Sequence, residues 1–339
     1  MNPKYPVFIP TKGRWESRWT IQSFENIGIP FKIVVEPQEF DNYAAVVDPK
    51  KIIVTPHSNK GLVTTRNWIW DLARDMGTEF YWTFDDNIGE NLRQQGVMGL
   101  YRLNNNLKTP VSSGVTLRAI EDFVERYENV PISGMNYFMF ASRKTVVPPY
   151  YLNTRIYSNM LIRTDAKDPS GKPYRNEGFY NDDTDICIRV LKDGFCTILF
   201  NAFLIYKRTT MSVSGGMTPH YINDGRLKMA NELRDKHPDI TTVTTKWGRP
   251  QHQVDYSSFR QNKLKLKPGV VIPDGVNNYG MVLRTIDEKQ KPKPIAKTVT
   301  KQTEPVSVES KPKGVFDDKW VDYWKQRDFH RDPRADIQK

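Results

Sequence analysis

The run Phe80-Tyr-Trp-Thr-Phe84 reads apolar on both faces and stops abruptly at Asp85-Asp86-Asn87. A strand without a polar face belongs inside a sheet covered on both sides, as a central parallel strand is. The preceding segments suit that setting. Residues 5–9, Phe31 to Val35 and Lys51 to Val54 read as short strands. Between them, Trp15 to Ile27 and Leu62 to Met76 carry apolar residues at helical spacing, and Gly28 and Gly77 close the two helices. Strand and helix therefore alternate over the first ninety or so residues, the pattern of a doubly wound α/β sheet. Ligands of such sheets bind at the carboxyl ends of the strands. The loop 10–14, Glu36 and Asp85-Asp86 all fall there.

The middle of the chain is less regular. Helices are expected over Ala119–Tyr127, Asp182–Lys192 and Leu227–Lys236, and strands over Met135–Ala141, Leu161–Arg163, Cys196–Leu199 and Phe203–Tyr206. Ser212–Met217 reads as a flexible Gly-containing loop. From 286 to 315 Lys, Pro, Thr, Val and Glu dominate, a composition that cannot bury enough surface to order itself. In the segment that follows, 316–339, Phe316, Trp320, Tyr323 and Trp324 share one helical face. That short helical segment is a candidate to dock on its own chain or on a partner.

The formal charge is +11, which favours a polyanionic partner without requiring one. No stretch approaches the roughly 20 apolar residues of a membrane span. The N-terminus lacks a signal-peptide pattern, and two cysteines, Cys187 and Cys196, are too few for a disulfide framework. The expectation is a cytoplasmic protein with no membrane partner.

Four constellations can carry chemistry. Asp85 and Asp86 repel each other at the end of an apolar strand, and a divalent cation is the usual compensation for such a pair, although Asp and Asn also favour ordinary turns. Asn181-Asp182-Asp183-Thr184-Asp185 opens a helix, where capping explains one aspartate well and three poorly. An ionised carboxylate there can act as a general base. His220, after the glycines at 215–216, can close over a metal as neutral imidazole. Lys60-Gly61 and Arg66-Asn67 place a positive charge and a free helix N-terminus where a phosphate binds.

In this order, the four elements resemble the GT-A fold glycosyltransferases, especially the inverting family 2 type. Ile9-Pro10-Thr11-Lys12-Gly13-Arg14 is similar to their first nucleotide-contacting loop. Gly61 with Arg66-Asn67 is similar to their Gly-x-x-x-Ala-Arg-Asn helix start, with Thr65 in place of alanine. Thr83-Phe-Asp85-Asp86-Asn87 resembles the Asp-x-Asp motif, and Asp182-Asp183-Thr184-Asp185-Ile186-Cys-Ile-Arg189 resembles the Glu-Asp-x-Asp-Leu-x-x-Arg segment. The resemblance covers about 5–225. It implies a mixed, mostly parallel sheet flanked by helices, forming one domain over 1–285 with a nucleotide-binding half (1–90) and an acceptor half (91–285). It implies a nucleotide-sugar co-substrate, a UDP-sugar such as UDP-glucose, held by Thr11, Arg14, Glu36, Lys60, Arg66 and Asp85. A Mn²⁺ or Mg²⁺ ion would sit on Asp86, Asn87 and His220. Asp183 would be the base, with Asp182 in the place usually held by Glu, which leaves the base open by one residue.

Within that class the pattern most resembles the phage glycosyltransferases associated with Tet-type oxygenases, which act on 5-hydroxymethylcytosine in DNA. The implied partner is DNA carrying that base, with Tyr137, Tyr150 or Tyr151 available to stack on it, in a host cytoplasm. Rival readings are a transferase acting on a surface polysaccharide or other glycan, a nucleotidyltransferase, and a non-catalytic DNA-binding α/β protein.

Overall fold

The computed structural model describes residues 1–271 apart from 105, 142–146, 210–213, 222 and 247. The expected linker, the aromatic tail and part of the 212–217 loop lie outside the described residues.

The chain begins with β1 (Val7–Pro10), α1 (Trp19–Ile27), β2 (Lys32–Val35), a short α2 (Phe40–Ala44), β3 (Ile52–Val54), α3 (Leu62–Asp75) and β4 (Phe80–Phe84). Two hairpins follow, β5 (Glu90–Leu92) with β6 (Gly96–Met98), and β7 (Leu100–Asn104) with β8 (Leu107–Pro110). Next come α4 (Val115–Val124), β9 (Ile132–Tyr137), β10 (Tyr150–Leu152), β11 (Asn159–Arg163), α5 (Asp182–Lys192), β12 (Thr197–Ile205) and α6 (Gly225–Lys236). A polar hairpin of β13 (Thr241–Lys246) and β14 (Arg249–Val254) packs on α6.

The main sheet runs in the order β3-β2-β1-β4-β11-β9-β12-β7-β8, with β10 paired to β12. The first four strands are parallel, β11 is antiparallel to both its neighbours, and β9 and β12 are parallel. The fold is thus a mixed, mostly parallel Rossmann-like sheet. Alternate side chains of β4 enter opposite layers, as the pleat requires. Trp82 and Phe84 pack with Phe24 and Ile9 on one face, and Tyr81 with Phe8 and Trp70 on the other. All five residues of β4 are buried, as its two-faced apolar reading requires.

Three boundaries differ from expectation for identifiable reasons. Helix α1 starts at Trp19 because Arg18 takes a non-helical conformation, and Trp15 turns edge-on to Tyr43 instead. The strand expected to Ala141 ends at Tyr137, and Phe140 N–H closes a turn on Tyr137. The two strands expected over 196–206 are one, β12, with a bulge between Phe200 and Leu204. The N–H groups of Asn201 and Ala202 within it both donate to Pro149 O. Cys187 and Cys196 are buried free thiols, and burial pushes both up. Among the described residues, no helix is long and apolar enough to cross a membrane.

Candidate active site

The carboxyl ends of β1, β2 and β4 and the amino ends of α3 and α5 converge on a cavity of about 600 Å³. All eleven residues expected to hold the donor, hold the metal or act as base line it: Thr11, Arg14, Glu36, Lys60, Arg66, Asp85, Asp86, Asn87, Asp182, Asp183 and His220.

The two acids at the end of β4 turn to opposite partners. Asp86 accepts from Thr11 Oγ1 at 2.8 Å and is ion-paired with Arg14. Asp85 accepts from Arg66 at 2.9 Å and from Lys207 Nζ at 2.7 Å. Their mutual repulsion is therefore offset by three cations of the chain itself. Burial raises both carboxyls, but at Asp85 Lys207 and then Arg66 outweigh it and hold the group at about 2. At Asp86 burial prevails over Arg14 and Thr11, and the group lies above the ordinary carboxylate range.

Asn181 sits in the left-handed region at φ 49°, so α5 opens directly with three acids in its first turn. Each has a different task. Asp182 takes both oxygens to Arg66 Nη1, at 2.8 and 2.7 Å. Asp185 points away from the cavity into a buried cluster with His237, at 3.0 Å, and Arg189. Asp183 Oδ1 accepts from the N–H of Thr184 at 2.7 Å, and no cation forms an ion pair with it among the described residues. Burial, and next the neighbouring Asp182, raise its carboxyl.

Around the nucleotide side, Glu36 is buried and accepts from Lys12 Nζ at 2.6 Å and Asn59 N–H at 3.0 Å. Burial works to raise it, but Lys12, Asn59 and Gln38 together hold it below the ordinary range. Lys60 is exposed at the rim. His220 lies across the mouth with its ring edge-on to Phe179, at 4.8 Å between centroids. The glycines before it are sterically required. Gly215 has φ +82°, and a Cβ there would lie 2.4 Å from Gly13 O. That approach lets Arg14 donate to Ser214 O at 3.1 Å and Gly215 O at 3.2 Å, tying the first loop to the last.

Sequence reading missed Lys207, Ser158 and Tyr43. Lys207 is the half-buried partner of Asp85, and its signal was the basic pair Lys207-Arg208 straight after the apolar run Phe203–Tyr206. Ser158 Oγ bonds both Lys207, at 2.5 Å, and Tyr137, at 2.6 Å. Tyr43 Oη bonds Thr11, at 2.6 Å. Of the three tyrosines offered for stacking, Tyr137 is held by Ser158 and Tyr150 packs against Phe123 and Phe200, while Tyr151 is exposed.

Among the described residues no three His, Cys, Asp or Glu side chains gather as a metal-holding group. One oxygen donor is nevertheless open. Asn87 Oδ1 is buried without a hydrogen-bond partner beside Asp86. Carboxylate and amide oxygens are the donors a hard cation takes.

The cavity at the ends of the parallel strands carries five basic side chains, Lys12, Arg14, Lys60, Arg66 and Lys207, beside five acids, Glu36, Asp85, Asp86, Asp182 and Asp183, and its size and place suit a nucleotide ligand. The chain belongs to the TET-associated glycosyltransferase family, whose family model matches residues 5–216. No curated protein matches it.

Proposed function

We propose that this protein transfers a sugar from a uridine diphosphate donor to 5-hydroxymethylcytosine in DNA, in one inverting displacement with Asp183 as general base. One observation carries the choice of base. Asp85, Asp86, Asp182 and Glu36 are each paired with a lysine or arginine, whereas Asp183 bonds only within its own helical turn. A base must be free to accept a proton from the acceptor, and Asp183, raised by burial and then by Asp182, is the acid of this cavity that no lysine or arginine pairs with among the described residues.

The donor lies across Thr11, Arg14, Glu36 and Asp85, with Lys12, Lys60 and Arg66 supplying charge near the diphosphate. Asp183 takes the proton of the hydroxymethyl group as its oxygen bonds to the anomeric carbon. The bond from that carbon to the diphosphate oxygen breaks, and its electron pair leaves with the nucleotide. A Mg²⁺ or Mn²⁺ ion held by Asp86, Asn87 and His220, all of which line the cavity, would neutralise charge on that leaving group. Asp86 is ion-paired with Arg14, so holding the ion would require release of Arg14, which would then be available to a phosphate. The DNA acceptor is supported by the family and by the +11 charge.

The test is labelled donor incubated with hydroxymethylated duplex, unmodified duplex and a glycan. Transfer to the hydroxymethylated duplex alone is expected. Transfer to the glycan and not to DNA would overturn the acceptor.

A further inference from the structure

A second cavity, of about 790 Å³, is lined by residues of β9 and β10 and of the segments 153–157 and 255–263. We propose that it binds a DNA strand, taking the target nucleotide with its neighbours and delivering the hydroxymethyl group to Asp183. This rests on the DNA-glycosylation reading above.

The segment 153–158 that precedes β11 links the two cavities. Ser158 bonds the donor-site Lys207, while Asn153, Arg155 and Tyr157 line the second cavity. Helix α5, which carries Asp183, is pinned to the same segment where Ile156 N–H donates to Cys187 Sγ at 3.3 Å. The charge of Asp183 is close enough to help raise both Tyr157 and Tyr256, although burial is the larger cause for each.

The lining has the chemistry of a single-strand site. Phe140, stacked on Tyr137 at 5.5 Å, and Tyr151 are 52% and 41% exposed, and each offers open ring surface to the cavity. Arg155 lies over the Tyr157 ring at 5.0 Å. Arg260 and Lys263 are exposed at the rim, and no carboxylate forms an ion pair with Arg155, Arg260 or Lys263 among the described residues. Asp255 also lies there, but it accepts from Ser257 N–H at 2.9 Å as a turn cap. Tyr256 Oη, buried in this lining, has no hydrogen-bond partner. Rings for bases, fixed cations for phosphates and an unspent polar atom are what an extruded nucleotide takes. A neutral glycan would leave the cations idle. The sequence pointed to Tyr137 and Tyr150 as well, but these serve the donor-site network and the core, and only Tyr151 opens on this cavity.

The test uses the exposed residues, whose replacement does not open the core. Binding of a fluorescent hydroxymethylated oligonucleotide is measured by anisotropy for the full chain and for Tyr151→Ala and Arg260→Ala/Lys263→Ala, with UDP affinity measured alongside by calorimetry. Tyr151→Ala is expected to weaken oligonucleotide binding about tenfold, the scale of one stacked base, and Tyr151→Phe to restore it. The double variant is expected to weaken binding and flatten its salt dependence. UDP affinity should stay within about twofold in all of them. If the variants bind the oligonucleotide as the parent does while the parent glycosylates DNA, the cavity is not the acceptor site although the activity stands. If the parent binds UDP and no oligonucleotide, both fall together.

Discussion

Replacing Lys207 tests whether the acid pair is held by the protein's own cations. Lys207→Met keeps the length of the side chain and removes its charge from Asp85, leaving Arg66 at 2.9 Å. Burial opposes ionisation of Asp85, yet Lys207, the largest lowering influence, and Arg66 bring the group from an ordinary 3.8 to about 2. At ~1.36 kcal/mol for each tenfold change in acidity, that gap corresponds to about 2 kcal/mol of stability at neutral pH. Losing the larger of the two cations is expected to cost about 1–2 kcal/mol, or roughly 2–8 °C in Tm for a domain of this size. The sign follows from linkage. A carboxyl depressed in the folded state contributes stability above its unfolded value near 3.8, and loses it as pH falls towards 2. Urea unfolding of the two proteins at pH 7 and pH 3 measures this. The gap should shrink to roughly half at pH 3. A gap below ~0.3 kcal/mol at pH 7, or one equally wide at pH 3, would refute the assignment of Lys207 as the counter-ion.

Three further outcomes are expected. Asp183→Asn should lower turnover by about 10²–10⁴ while donor affinity changes little, and parental turnover should rise with pH through a midpoint above the ordinary carboxylate range. Single-turnover rates against pH, with calorimetric donor titration, check both. Gly215→Ala places a Cβ 2.4 Å from Gly13 O in a left-handed conformation, so it should disturb the Arg14 brace and weaken UDP binding several-fold without unfolding the protein. Glu121→Leu strips a buried carboxylate from the N–H groups of Lys4 and Tyr5 and from Trp82 Nε1. It should cost about 3 kcal/mol or more and expose the N-terminus to limited proteolysis.

The half of the fold that positions the donor was legible because its signals are local. The run at 80–84 ends where its burial ends, Gly28 and Gly77 stop helices through positive φ, and Asp182 begins α5. The chain after β4 was harder to read. The hairpins β5–β6, β7–β8 and β13–β14 are short and mostly half-exposed, so period-2 alternation is weak in them. The bulge in β12 hid one strand behind Asn201, a polar residue that is satisfied by Asn136 and Pro148 O. The site residues themselves were visible as motifs, but their partners were not. That Arg66 bridges Asp85 and Asp182 depends on two segments 116 positions apart, as does the choice of Asp183 over Asp182 that this bridge supports. The contacts of Lys207 and of the 153–158 segment are likewise products of tertiary contact alone.

Nucleoside mass spectrometry addresses the central claim most directly. Hydroxymethylated DNA is incubated with the full chain and a panel of nucleotide sugars, then digested to nucleosides. The expected result is 5-hydroxymethylcytosine heavier by one sugar residue with a uridine diphosphate donor, and none with Asp183→Asn. Donor breakdown with unmodified nucleosides throughout, or sugar on any other base, would contradict it.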